Sequence, residues 1–167
     1  MQTISDLNKS DISLTKTIDT FSKILELQSF FFLIKPSNEI YKNDFDRKLL
    51  DRQIEKLIKD GFRNIEICWS DNKNWSDYVA NLKLKFPKLH LGSASITHKK
   101  SIDESIKIGL NYSMMKFWDK DLLNYSNSKN HLLIPGIKSI KDLKEAIDLN
   151  CKIIKIYPAK NKDALID

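Results

Sequence analysis

Glycine is scarce in this chain, with four in 167 residues. That leaves no glycine-rich phosphate loop, and no dinucleotide or nucleotide fingerprint follows the first strand-like run. Cysteine is scarcer still. Cys68 and Cys151 both stand in apolar runs, where a thiol packs as a small hydrophobe, so no disulfide is expected. The three histidines, His90, His98 and His131, have no metal-ligand spacing with each other or with the cysteines, and no metal site is expected. No apolar run reaches membrane-spanning length, and Met1 to Asp6 lacks the basic start and apolar centre of a signal peptide. A cytoplasmic protein without membrane contact is the expectation.

Arginine is also rare. Of 28 basic residues only Arg47, Arg52 and Arg63 are arginines, and the lysines are spread along the chain among 22 acids. A net charge of +6 therefore does not point to nucleic acid, whose specific binders cluster their basic residues and read bases with arginine. The charge supports a mild attraction for anionic substrates. The balance of 41% hydrophobic and 30% charged residues suits one globular domain with a sizeable core.

What is present is an alternation. Residues 1–28 read as a helical segment, with Leu14, Ile18, Phe21, Ile24 and Leu25 at helical spacing. An apolar run over 29–35, closed by Pro36, opens the main domain, 29–167. Strands are then expected at 64–69, 89–92, 112–117, 131–134 and 152–157. Helices are expected between them at 44–60, 75–86, 101–108 and 142–149, with a weaker one near 119–126. Six near-continuously apolar strands alternating with helices imply βα units and a parallel sheet covered on both faces. Two architectures fit: a doubly wound open sheet, or a (β/α)8 barrel with only about six of its units.

Lys155 carries the sharpest chemical signal. It lies near the end of a run, Lys152-Ile153-Ile154-Lys155-Ile156-Tyr157-Pro158-Ala159, that reads as a fully buried strand. A strand-end lysine either snorkels to water or, when desolvated, loses its charge and becomes an amine nucleophile fit for Schiff-base chemistry. Along 64–70, Glu66 shares one strand face with Asn64, Cys68 and Ser70, opposite Ile65, Ile67 and Trp69. If the isoleucine face packs on helices, Glu66 points inward, where it meets Lys155 either as a proton shuttle or as a plain ion pair.

These segments resemble one family. The run 152–159 is similar to the lysine motif of the class I aldolases for 2-keto-3-deoxy-6-phosphogluconate (KDPG) and 4-hydroxy-2-oxoglutarate (KHG). Gly61-Phe62-Arg63-Asn64-Ile65-Glu66-Ile67 resembles the family's second strand, and Ile134-Pro135-Gly136 fits at compatible spacing. Leu91-Gly92-Ser93-Ala94-Ser95-Ile96 stands where the family has Gly-Ala-Gly-Thr. The resemblance implies a usually trimeric TIM-type barrel that cleaves a 2-keto-4-hydroxy acid into pyruvate and an aldehyde, with no cofactor. It maps the Schiff-base lysine onto Lys155, the acid/base glutamate onto Glu66 and the substrate-contacting threonine onto Ser95. Tyr157, on the Lys155 face, is a further expected substrate contact.

The chain also departs from the family. The arginine that helps hold the substrate carboxylate is Ser70 here, and a hydroxyl does not reproduce a guanidinium fork. The family's Ser-Pro-Gly at the fourth strand is Met115-Lys116-Phe117, and Lys116 is a candidate to take over the lost carboxylate contact. The seventh and eighth units are expected to be missing, which leaves strands one and six as open edges. Three readings of function stand: an aldolase-like lyase with altered substrate binding, or a degenerate barrel fragment acting as a binding or assembly subunit. An open-sheet binding domain is the third.

Overall fold

The computed structural model describes residues 4–158, with side chains from residue 14 onward. The remainder of the 29–167 domain, including Ala159 of the lysine motif, lies outside the described residues. The described chain begins with α1 (Ile4–Leu27) and β1 (Phe32–Ile34). A 3-10 turn at Asn38–Tyr41 leads to α2 (Asp44–Lys59), β2 (Asn64–Cys68), α3 (Trp75–Lys85) and β3 (His90–Ile96). Next come α4 (Lys99–Ile108), β4 (Tyr112–Met115), α5 (Lys120–Ser128) and β5 (Leu133–Ile134). The last elements are β6 (Gly136–Ile137), α6 (Ile140–Asp148) and β7 (Lys155–Ile156).

Helices α2, α5 and α6 begin where short polar side chains cap them. Asn43 accepts from the Asp46 N–H, Asp119 from Leu122 and Ser139 from Asp142. At the other end of α4, Gly109 takes a left-handed conformation, and the Lys83 ammonium donates to the Ile108 and Gly109 carbonyls.

All strand pairs are parallel, in the order β1-β2-β3-β4-β5 and then β6-β7. Neighbours in sequence are neighbours in space, with no reversal of strand order, so the doubly wound alternative is excluded and the winding is that of a barrel. The two sheets are one surface broken at Pro135. That residue has no N–H to give to a ladder. Before it the chain pairs with β4, and after it with β7, through Lys155 N–H to the Pro135 carbonyl and Tyr157 N–H to the Ile137 carbonyl, both at 2.9 Å.

The outer face of this surface is covered by helices. Ile65 and Ile67 pack with Leu50 and Ile54 of α2 and with Trp75, Val79 and Leu82 of α3. Ile96, Met115 and Leu133 pack with Ile102 of α4 and with Leu122 and Leu123 of α5. Under α4 runs a buried polar chain: Ser105 to Ser93 at 2.8 Å, Ser93 to Ser113 at 2.7 Å, and Ser113 to His131 Nε2 at 2.7 Å. Burial holds His131 neutral, its pKa down at about 4.

The inner face is covered by α1. Phe21, with Leu14, Ile18 and Leu25 one or two turns away, meets Tyr112, Met114, Leu132 and Ile134. Gln28 fastens the end of this helix. Its side-chain carbonyl accepts from Arg63 N–H at 2.8 Å and Asn64 N–H at 3.1 Å, while Asn64 donates back to the Gln28 carbonyl at 2.8 Å. Residues 14–28 of this segment thus take part in the core packing.

Three details differ from the sequence reading. β1 covers three residues of the expected seven, and β7 two of the expected six. β3 runs on to Ile96 through a register shift, where Ser95 takes a φ of 62°. The lysine strand is also less buried than expected: Ile156 is 44% and Tyr157 43% exposed, because among the described residues no helix lies over that outer edge.

Candidate active site

Parallel pairing in register sets Leu33, Glu66, Gly92 and Tyr112 side by side across β1 to β4, all on the inner face. Glu66 is 4% exposed. It lines a pocket of about 340 Å³ together with Lys155, Ile153 and Tyr157 from the β7 region. Met114 and Ile134 form the wall, and Phe21 and Leu25 of α1 form part of the floor. The structure thus sets Glu66 and Lys155 in one largely apolar pocket, without direct contact between them.

The electrostatics follow from that enclosure. Burial raises the Glu66 pKa to about 7, against the pull of the Lys155 charge. Burial also lowers the Lys155 pKa, with Glu66 and Cys68 acting the other way. Desolvation wins over mutual attraction on both groups because they are not in contact: no ion pair within 4.0 Å joins them among the described residues. The Lys155 ammonium instead lies 5.5 Å from the centre of the Tyr157 ring. The pocket therefore holds a carboxyl whose midpoint lies near neutral pH and an ammonium that gives up its proton more readily than a free lysine, the pair needed to attack a carbonyl and move protons around it.

Ser95 does not line the pocket, and a left-handed backbone sets it beside Cys68. Strict alternation would turn its side chain outward with Ser93 and send Ile96 inward. The left-handed residue makes Ser95 the extra one of a bulge. Ile96 then joins the outer core, and the Ser95 hydroxyl comes to 3.5 Å from Cys68 Sγ on the inner row.

Ser70 and Lys116 are not brought to the pocket walls. The Ser70 hydroxyl accepts from Asn72 N–H at 3.3 Å and lies beside the Tyr41 phenol. Lys116 is exposed after β4, its ammonium 5.2 Å above the Phe117 ring, with Lys138 on the same ring at 5.6 Å. No arginine lines the pocket among the described residues. Arg47 is spent on the Ile40 and Tyr41 carbonyls, Arg63 on Ile58 and Phe62, and Arg52 is exposed.

Sequence reasoning missed the contribution of Phe21, Leu25 and Phe31 to this pocket. The helical spacing of the first two was legible, but nothing in it says which sheet face they meet. Elsewhere among the described residues, no group of three His, Cys, Asp or Glu side chains gathers as a metal site, both cysteines are free thiols, and no helix is long and apolar enough to cross a membrane.

The chain is similar to known proteins over much of its length. The family model for KDPG and KHG aldolase matches residues 43–166. A 2-dehydro-3-deoxy-phosphogluconate aldolase of Pseudoalteromonas atlantica is 28% identical over 104 residues, which is 62% of this chain and 48% of that protein. The chain thus spans about half the length of that curated relative. Among solved structures, a KDPG aldolase from Legionella pneumophila, with pyruvate captured as a covalent carbinolamine, superposes with a TM-score of 0.64 at 18% identity, over 77% of this chain and 58% of that one. The Zymomonas mobilis ZM4 enzyme with 3-phosphoglycerate gives 0.66 at 17% identity, over 78% and 58%. These structures share the barrel-type fold seen here, and the match over 43–166 is what decides membership: this chain belongs to the KDPG and KHG aldolase family.

Proposed function

We propose that the protein is a class I aldolase-like lyase that interconverts a 2-keto-4-hydroxy acid with pyruvate and an aldehyde through a Schiff base on Lys155. The observation that carries this reading is the placing of Lys155 and Glu66 in one apolar pocket, out of ion-pair contact and both displaced toward neutrality.

The neutral Lys155 amine adds its electron pair to the keto carbon, giving a carbinolamine. Glu66, as the acid, protonates the departing hydroxyl, and water leaves to form the iminium. Now a carboxylate, Glu66 takes the proton from the C4 hydroxyl. The C3–C4 bond breaks, its electrons pass to the iminium as an enamine, and the aldehyde is released. Protonation of the enamine at C3 and hydrolysis of the iminium free pyruvate and restore the amine. Every electron pair is held by the lysine adduct, so the sequence needs no metal or organic cofactor.

Tyr157 serves as a substrate contact in the pocket, while Ser95, Ser70 and Lys116 stand outside its walls and serve only a substrate that extends past them. No arginine lines the pocket, and for Lys116 to supply the cation for the substrate carboxylate its ammonium would have to leave the Phe117 ring and turn inward. The family relationship supports a trimer acting in the cytoplasm. A second reading, a degenerate relative that binds or assembles, is favoured by one observation: the side chain at the family's arginine position is a serine turned toward Tyr41.

Borohydride reduction in the presence of pyruvate, read by intact mass and peptide mapping, decides between them. The expected result is a pyruvyl adduct on Lys155 that is lost in Lys155→Ala. A well-folded protein without adduct would favour the binding subunit. In the same assay Lys116→Ala should raise the pyruvate concentration needed for half-trapping several-fold, and an unchanged value would remove Lys116 from the site.

A further inference from the structure

Tyr112 is fully buried, and its hydroxyl has no hydrogen-bond partner. Tyr41 and Tyr78 share that lack, but of the three Tyr112 alone stands in the inner row with Glu66. A buried donor without a partner is costly, so one placed there invites a functional account. The ring is held from three sides. Phe21 meets it edge-on at 4.6 Å and Phe31 at 5.8 Å. On the third side is Gly92, where a Cβ would fall 2.4 Å from the distal ring carbons, so only glycine leaves room for the phenol there. Gly92 is also the residue between Tyr112 and Glu66 in the inner row. The oxygen end of the ring thus projects over the one gap in the row, on the side of the Glu66 strand.

We propose that Tyr112 is a positioning residue for Glu66, its phenol O–H donating to the Glu66 carboxylate when that group is charged. The inference rests on the Schiff-base reading for its catalytic meaning, but the contact itself does not. While Lys155 is an ammonium, its charge supports a Glu66 carboxylate. That support comes from a distance, since no ion pair within 4.0 Å joins the two among the described residues. A buried carboxylate held this way still needs a hydrogen-bond donor. Tyr112 is the available one, and the burial that raises its pKa well above 10 keeps the proton on the phenol throughout.

The surroundings of Glu66 leave little else to do this. From its own strand it faces Cys68 and, one row below, Asn64, which is bonded to His90 at 2.8 Å. The β7 region contributes Lys155 and Tyr157, and the remaining walls present Leu33, Gly92, Phe21 and Leu25.

Tyr112→Phe removes one oxygen and leaves the ring packing in place. The carboxyl carbon of Glu66, labelled with carbon-13 and assigned by its loss in Glu66→Gln, reports the titration directly. The expected result is an upward move of the Glu66 midpoint by about one pH unit in Tyr112→Phe, since a donor to the charged form has been lost. The acid limb of pyruvate methyl-proton exchange should move with it. A merely structural hydroxyl would change thermal stability and leave both midpoints where they were, and that result overturns the proposal. Should Tyr112→Phe fail to fold, incorporation of 3-fluorotyrosine, a more acidic phenol, should lower the Glu66 midpoint instead, and no movement would again overturn it. Absence of a trapped pyruvyl adduct in the unsubstituted protein would sink the Schiff-base reading alone, because the carboxyl titration needs no turnover.

Discussion

At the scale of single residues, the site is governed by the cost of burying charge. Glu66 has its pKa raised from 4.5 to about 7 by desolvation. Between those values the folded protein holds a proton that the unfolded chain has released. Stability from this group is therefore complete below about pH 4.5 and is lost as the pH rises through 7. Glu66→Gln, which never ionises, should be more stable than the parent by about 3 kcal/mol at pH 8 and no different at pH 4. Urea denaturation at the two pH values checks this. Equal stability of the two proteins at pH 8 would mean that Lys155 compensates the buried carboxylate in full. Lys155 and Glu66 were both legible from the chain because their interest lies in residue type and strand parity. Ser95 was legible as a hydroxyl but not as the extra residue of a bulge, since nothing about serine announces a left-handed backbone.

At the scale of elements, the order of strands and helices was readable from apolar periodicity, and so was the face of β2 that carries Glu66. The partner exchange at Pro135 was not, because pairing across a gap depends on where β7 returns and not on the local pattern. Nor was the place of α1. Its stripe of Leu14, Ile18, Phe21 and Leu25 announces a buried helix, but whether it covers the outer or the inner face is settled by contacts such as Gln28 with Arg63, 35 residues away. Phe21 is 3% exposed and touches both Tyr112 and Phe31. Phe21→Ala should cost about 3–5 kcal/mol in chemical denaturation, as large aromatic truncations in cores do. A cost below about 1 kcal/mol would show that α1 contributes little to the inner core.

At the scale of the whole molecule, the two faces of the sheet are held by different kinds of contact. The outer core joins each strand to the helices beside it in sequence, whereas the inner core joins the first helix to strands far along the chain. The inner face therefore depends on the longest loop closures in the fold and has the fewest elements over it. That predicts two levels of cooperativity in native-state hydrogen exchange. Amides of α1 should open at lower free energy than those of β2 and β3, and a single common opening energy would refute it. The Gln28 fastening gives this a chemical consequence. Release of α1 would admit water to Glu66, let its acidity return toward 4.5, and so release a proton near neutral pH. Docking of the first helix and ionisation of the site are thus one linked equilibrium. Alkali loosens the helix, acid tightens it, and the protein's readiness to react is tied to the mobility of a segment that carries none of the proposed chemistry.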